Sequence, residues 1–124
     1  MTTPAATPWM KTDLDPELGR LLAVIVEDFS PIEIILFGSQ ARGDSTPDSD
    51  FDVAVVMPVG TNRHRTGADI YQALGRVHPR SRGIDIVVLV DGEIQRGSAD
   101  IGSLTREIAR EGRVLYRRRA TASA

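Results

Sequence analysis

The chain of 124 residues contains no cysteine, which excludes disulfides and thiolate metal sites and removes any sign of an oxidising compartment. It also lacks an apolar run approaching the ~18 residues that span a bilayer, and Met1 to Lys11 hold no basic segment followed by an apolar stretch such as a secretory signal needs. The expected location is the cytoplasm, with no membrane partner. Charge of one sign is not in strong excess. Seventeen acidic against fifteen basic residues leave a formal net charge of −2, so the chain as a whole does not attract phosphates and a long nucleic acid is not the expected partner. No internal repeat is present.

What is there describes one soluble domain. The composition is 41% hydrophobic and 26% charged, ordinary for a globular protein and far from disordered or collagen-like sequences. Residues 1–12 carry two prolines and four threonines without periodicity and read as a flexible tail, as do residues 117–124; the domain is expected over 13–116. Asp15-Pro16-Glu17 is a helix start, and Leu18, Leu21, Leu22, Ile25 and Phe29 recur at helical spacing up to Pro31. Ile32 to Phe37 and Phe51 to Met57 read as buried strands, and Ile84 to Val90 as a third. The stretch between the last two is long enough for a helical crossover, expected at about Thr66 to Val77, so those strands should run parallel. Ile101, Leu104 and Ile108 mark a last helix closed by Gly112, followed by a short strand at Val114-Leu115-Tyr116. The fold class is therefore α/β, a mixed β-sheet of three or more strands flanked by α-helices, with the first strand antiparallel to the second.

The chemistry lies in Gly38-Ser39, ten intervening residues, then Asp50-Phe51-Asp52. Alternation along a strand sends Asp50 and Asp52 to one face. Two carboxylates held that close repel unless a cation sits between them. Asp85 interrupts an apolar strand and, with parallel neighbours ~4.8 Å apart, can join the pair at the strand beginnings. Hard oxygen donors without histidine or cysteine favour magnesium or manganese. Three such acids suit a pair of ions of the kind that serves in-line phosphoryl transfer. Gly38 lets backbone approach closely, the amides and hydroxyl that follow can seat a phosphate, and Arg42 could neutralise its charge.

The spacing G-S-x(10)-D-x-D with a later apolar-flanked aspartate resembles the nucleotidyltransferase superfamily of DNA polymerase beta, in its minimal nucleotidyltransferase branch. The likeness covers roughly residues 32–90 and extends to Arg110-Glu-Gly-Arg-Val-Leu-Tyr116. It implies that Asp50 and Asp52 bind two Mg2+ or Mn2+ ions, that Asp85 completes one ion site near the attacking hydroxyl, and that Gly38 and Ser39 hold a nucleoside triphosphate such as ATP. It further implies transfer of a nucleoside monophosphate, with release of pyrophosphate, onto a hydroxyl. Many small members resembling this chain are antitoxins paired with a helical HEPN ribonuclease toxin, some of which place AMP on the toxin. Such a partner is the expectation here; an occluding antitoxin with an idle site and a transferase acting on a small alcohol are the alternatives.

Blander readings stand beside these. A lone D-x-D is usually a turn cap with an exposed strand residue, an edge strand often carries a charge like Asp85, and Ser39 alone is a helix cap more often than a ligand. Arg42 could instead pair with Asp44 or Asp48. His64 and His78 read as solvent-exposed, Trp9 as a tail residue or an interface anchor, and Arg117 to Arg119 as a solvated charge run or a contact for an acidic surface or RNA.

Overall fold

The structure, a computed structural model, describes residues 9–43, 50–77, 83–96 and 102–118. The elements follow in the order β1 (Trp9–Met10), α1 (Pro16–Phe29), β2 (Glu33–Phe37), α2 (Gly38–Arg42), β3 (Phe51–Met57), α3 (Arg63–Leu74), β4 (Ile84–Val90), α4 (Glu93–Arg96), α5 (Gly102–Glu111) and β5 (Arg113–Arg117). The five strands form one mixed sheet in the order β1-β5-β2-β3-β4. Among the described residues only β3 and β4 pair in parallel, joined through α3; β2 is antiparallel to both β3 and β5, and β1 to β5. The mixed α/β architecture expected from the sequence is thus present, with α3 supplying the crossover.

Local chemistry sets the helix ends. The Asp15 carboxylate caps α1 by accepting from the backbone N–H of Glu17 at 2.8 Å and of Leu18 at 3.3 Å, with Pro16 at the first helical position. Ser30, at a left-handed φ of 48°, closes the helix ahead of Pro31. In α3 the Asn62 side chain accepts from Arg65 N at 3.0 Å. That cap starts the helix three residues before the position expected from apolar periodicity, and it ends at Leu74 rather than Val77.

Pleating divides the core in two. Ile34, Leu36, Phe51, Val53, Val55, Met57 and Val88 point to one side, where Leu18, Leu21, Leu22 and Ile25 of α1 and Ile70 and Leu74 of α3 cover them. Ile35, Phe37, Ala54, Val56 and Leu89 point to the other and pack with Ile108 of α5. Full burial of each such aliphatic side chain is worth ~1.5–3 kcal/mol, so the α1/α3 side carries most of the stabilisation. The α5 side is the smaller cluster and covers less of the sheet.

Several expectations need correction. The segment 1–12 is not tail throughout: Trp9 and Met10 pair with Arg117 and Tyr116, and Lys11 N donates to Leu115 O at 2.9 Å. Two residues held by backbone hydrogen bonds leave no periodicity to read. At the other end the chain is still sheet at Arg117, whose guanidinium meets Glu33 Oε2 at 2.9 Å, and Arg118 N donates to Ile32 O at 2.8 Å. The first core strand begins at Glu33, although Ile32 N donates to Val56 O at 2.8 Å. The short α4 was not foreseen. Asp44, Asp48, His78, Ile101 and Arg119 lie outside the described residues.

Candidate functional site

Asp52 is the second residue of β3 and aligns with Phe37, the last residue of β2, on one side and with Asp85, the second residue of β4, on the other. Partners in register on adjacent strands project to the same face ~4.8 Å apart. Asp52 shares its pleat with Ala54 and Val56, and Asp85 with Val87 and Leu89, so both acids lie on the α5 side of the sheet, at the end of its apolar cluster. Asp50 stands just before β3, where Phe51 N donates to Gly83 O at 3.0 Å and ties the two strand entrances together. Asp50 and Asp85 are exposed and Asp52 is half-buried.

Two glycines make room for two of these acids. Gly38 has φ +74°, and a Cβ there would overlap the Asp52 carboxylate, so conformation and space both require glycine. A Cβ on Gly83 would stand 2.7 Å from Asp50 Oδ1 and 3.0 Å from its Cγ. The first glycine belongs to the Gly38-Ser39 pair singled out in the sequence; the second was not foreseen, because only the β3/β4 register reveals what lies over it. Ser39 sits half-buried in the single turn of α2, which Gly43, at φ +84°, closes with its N–H to Ser39 O at 3.0 Å.

Burial, then the like charges of Asp85, Asp50 and Glu107, raise the Asp52 carboxyl above the usual carboxylate range, and Arg42 pulls the other way. Glu107, on α5, is the residue sequence reasoning missed. Its signal was available in the helical phase, since Leu104 and Ile108 pack into the core and leave Glu107 and Glu111 on one flank. Arg42 reaches that flank: its Nη1 is 3.5 Å from Glu111 Oε1 and 3.9 Å from Glu107 Oε2. The structure thus gives Arg42 partners on α5 that the sequence did not suggest.

The donor set fits a hard divalent cation: oxygen atoms only, three aspartates at one end of the sheet, and a central carboxyl held under like-charge pressure that a cation would relieve. The side chains are neighbours without being closed into a shell, since no three acidic or imidazole groups among the described residues already gather as an ion site. Among the described residues no helix is long and apolar enough to cross a membrane.

Fold and site together define an α/β domain with its acids collected at one end of a mixed sheet, beside a glycine-serine turn. The chain belongs to the nucleotidyltransferase domain family, whose model matches residues 18–118. Among solved structures it resembles a mutant MntA–HpeT toxin–antitoxin, at 20% identity over 84% of this chain and 74% of that one, with a TM-score of 0.58. A toxin–antitoxin crystallised with AMP-PNP is similar at 20% identity, over 83% and 74% of the two chains, with a TM-score of 0.54. A provisionally assigned nucleotidyltransferase from Sulfolobus solfataricus shares 24% identity over 64% of this chain and 69% of its own, with a TM-score of 0.50. At these identities the likeness is one of fold. No curated protein matches the chain.

Proposed function

We propose that this protein transfers a nucleoside monophosphate, AMP from ATP, to a hydroxyl group on a partner protein. The observation that carries the reading is the alignment of Asp52 with Asp85 across the parallel β3/β4 pair, with Asp50 two residues before Asp52 and Gly38-Ser39 at the adjoining end of β2. In this reading Asp50 and Asp52 hold two Mg2+ or Mn2+ ions and Asp85 contributes to the one on the acceptor side. Bound there, the ions supply charge neutralisation for the triphosphate and lower the pKa of the attacking hydroxyl.

The chain's own residues do the rest. Gly38 keeps the turn close to Asp52, so that the Ser39 hydroxyl and nearby amides can donate to phosphate oxygens. Arg42 adds positive charge at the same end, balanced between the phosphates and Glu107 and Glu111. Asp85 accepts the proton as the hydroxyl attacks the α-phosphorus and pyrophosphate leaves. This edge position leaves the acceptor side open to a second protein, which suits a macromolecular acceptor better than a small alcohol.

The partner proposed is a HEPN-type helical toxin, with the present chain as its antitoxin. Support comes from the shared fold with the two toxin–antitoxin chains, one of them crystallised with AMP-PNP. Mixing the protein with the product of the adjacent reading frame, α-labelled ATP and magnesium should place label on that product. Label staying wholly off it, with neutralisation intact, would instead establish occlusion without chemistry.

A further inference from the structure

We propose that Tyr71 is a nucleotidyl acceptor within the chain itself, so that the protein can carry AMP on its own phenol. The inference rests on the reading of Asp85 as the acceptor-side acid. It starts from a contact at the sheet edge: Ile86 N donates to the Tyr71 phenolic oxygen at 2.7 Å. Ile86 follows Asp85 directly, so the phenol is held one peptide unit from that acid. The contact uses a lone pair of the oxygen and leaves its proton available.

Position and room favour this tyrosine over the other. Tyr116 is 5% exposed within the core, whereas Tyr71 is 46% exposed at the outer edge of the sheet. The pleat turns Asp85 toward the α5 side while Tyr71 comes from α3, so the ring must cross the edge of β4. An open groove of about 460 Å³ beside the ring reaches round that edge: Gly67, Ala68 and Tyr71 line it from α3, Ile86, Val87 and Val88 from β4, and Leu104 from α5. Gly67 and Ala68 put no bulk in the path. Leaving its place gives up one hydrogen bond, that from Ile86 N.

The step balances within the transfer already proposed. The Tyr71 oxygen forms a bond to the α-phosphorus as the bond from that phosphorus to the bridging oxygen breaks. Pyrophosphate leaves with the electron pair, and the phenolic proton passes to Asp85 and on to water. The product is a phosphodiester between tyrosine and adenosine.

The test is incubation of the purified protein alone with magnesium and α-labelled ATP, followed by intact mass and peptide fragmentation, with triphosphate binding titrated in parallel. The expected result is one added AMP on the peptide containing Tyr71, independent of protein concentration, absent from Tyr71→Phe and from Asp50→Asn/Asp52→Asn. Because adenylylation moves the phenol off the strand, hydrogen exchange at the Ile86 amide should rise at least tenfold in the modified protein. Triphosphate binding without label on Tyr71, or label on another residue, would overturn this inference and leave the proposed function standing. Absence of triphosphate binding would overturn both. Where Tyr71→Phe fails to fold, the fragment map of the native chain decides.

Discussion

A single carboxylate and a cluster of them sit beside opposite ends of β4 and are handled in opposite ways. At its C-terminal end Glu93 is buried and satisfied: its carboxylate accepts from Val90 N at 2.7 Å and from the Arg63 guanidinium at 2.8 Å, while Arg63 also donates to Val88 O at 3.2 Å. Those bonds, led by the one from Arg63, hold its carboxyl below the ordinary range. At the N-terminal end burial and three acidic neighbours push Asp52 the other way. Beyond one end of β4, on α4, the fold therefore stabilises an acid as an anion, and beside the other end, on β3, it strains one as an anion. A strained cluster of this kind marks a place meant for an added positive charge.

The comparison is broken most severely by removing the strained acids. Asp50→Asn with Asp52→Asn should lower AMP transfer by roughly a thousandfold or more, equivalent to above ~4 kcal/mol of transition-state stabilisation, in a single-turnover assay with labelled ATP. In the absence of ions Asp52→Asn should raise the melting temperature, since it relieves repulsion; a lower one would show that Asp52 is instead held by favourable partners. Gly38→Ala should cost ~1–3 kcal/mol in urea unfolding, through the positive φ and the displaced Asp52 carboxylate, and reduce transfer more than its stability loss explains. Arg63→Ala, at the satisfied end, should cost about 2 kcal/mol, less than a fully buried pair because the guanidinium is partly exposed, and leave triphosphate binding unchanged.

The smallest effect is also the most diagnostic. Glu93, with its folded-state pKa below the ordinary 4.5, contributes stability that is present above that value and lost as pH falls through the lowered one. Asp52, raised above 3.8, binds its proton longer folded than unfolded. Its ionisation therefore erodes stability as pH rises from 3.8 through the raised value. Urea titrations across this range should show the two slopes separately, the first vanishing in Glu93→Gln and the second in Asp52→Asn.

The sequence made the acids legible because chemistry concentrated them. Asp50, Asp52 and Asp85 interrupt or flank apolar strands, and one register places the last two side by side. The helices α1 and α5 were legible through their apolar spacing. Glu107 and Gly83 were not, since their relevance depends on which strands and helices become neighbours. The partners of Arg42 escaped for the same reason: nearby acids in sequence were the natural candidates, and the fold supplied acids from almost seventy residues away. The two-residue β1 was invisible because backbone, not side chains, holds it.

The strand order has a practical corollary. Since β1 and β5 lie side by side at one rim and β4 forms the opposite one, four inter-strand gaps, ~19 Å in all, separate the Trp9–Met10 segment from Asp85. A fluorescent label or surface tether attached beside Met10 would hang clear of the aspartates, allowing their occupancy to be watched without crowding them.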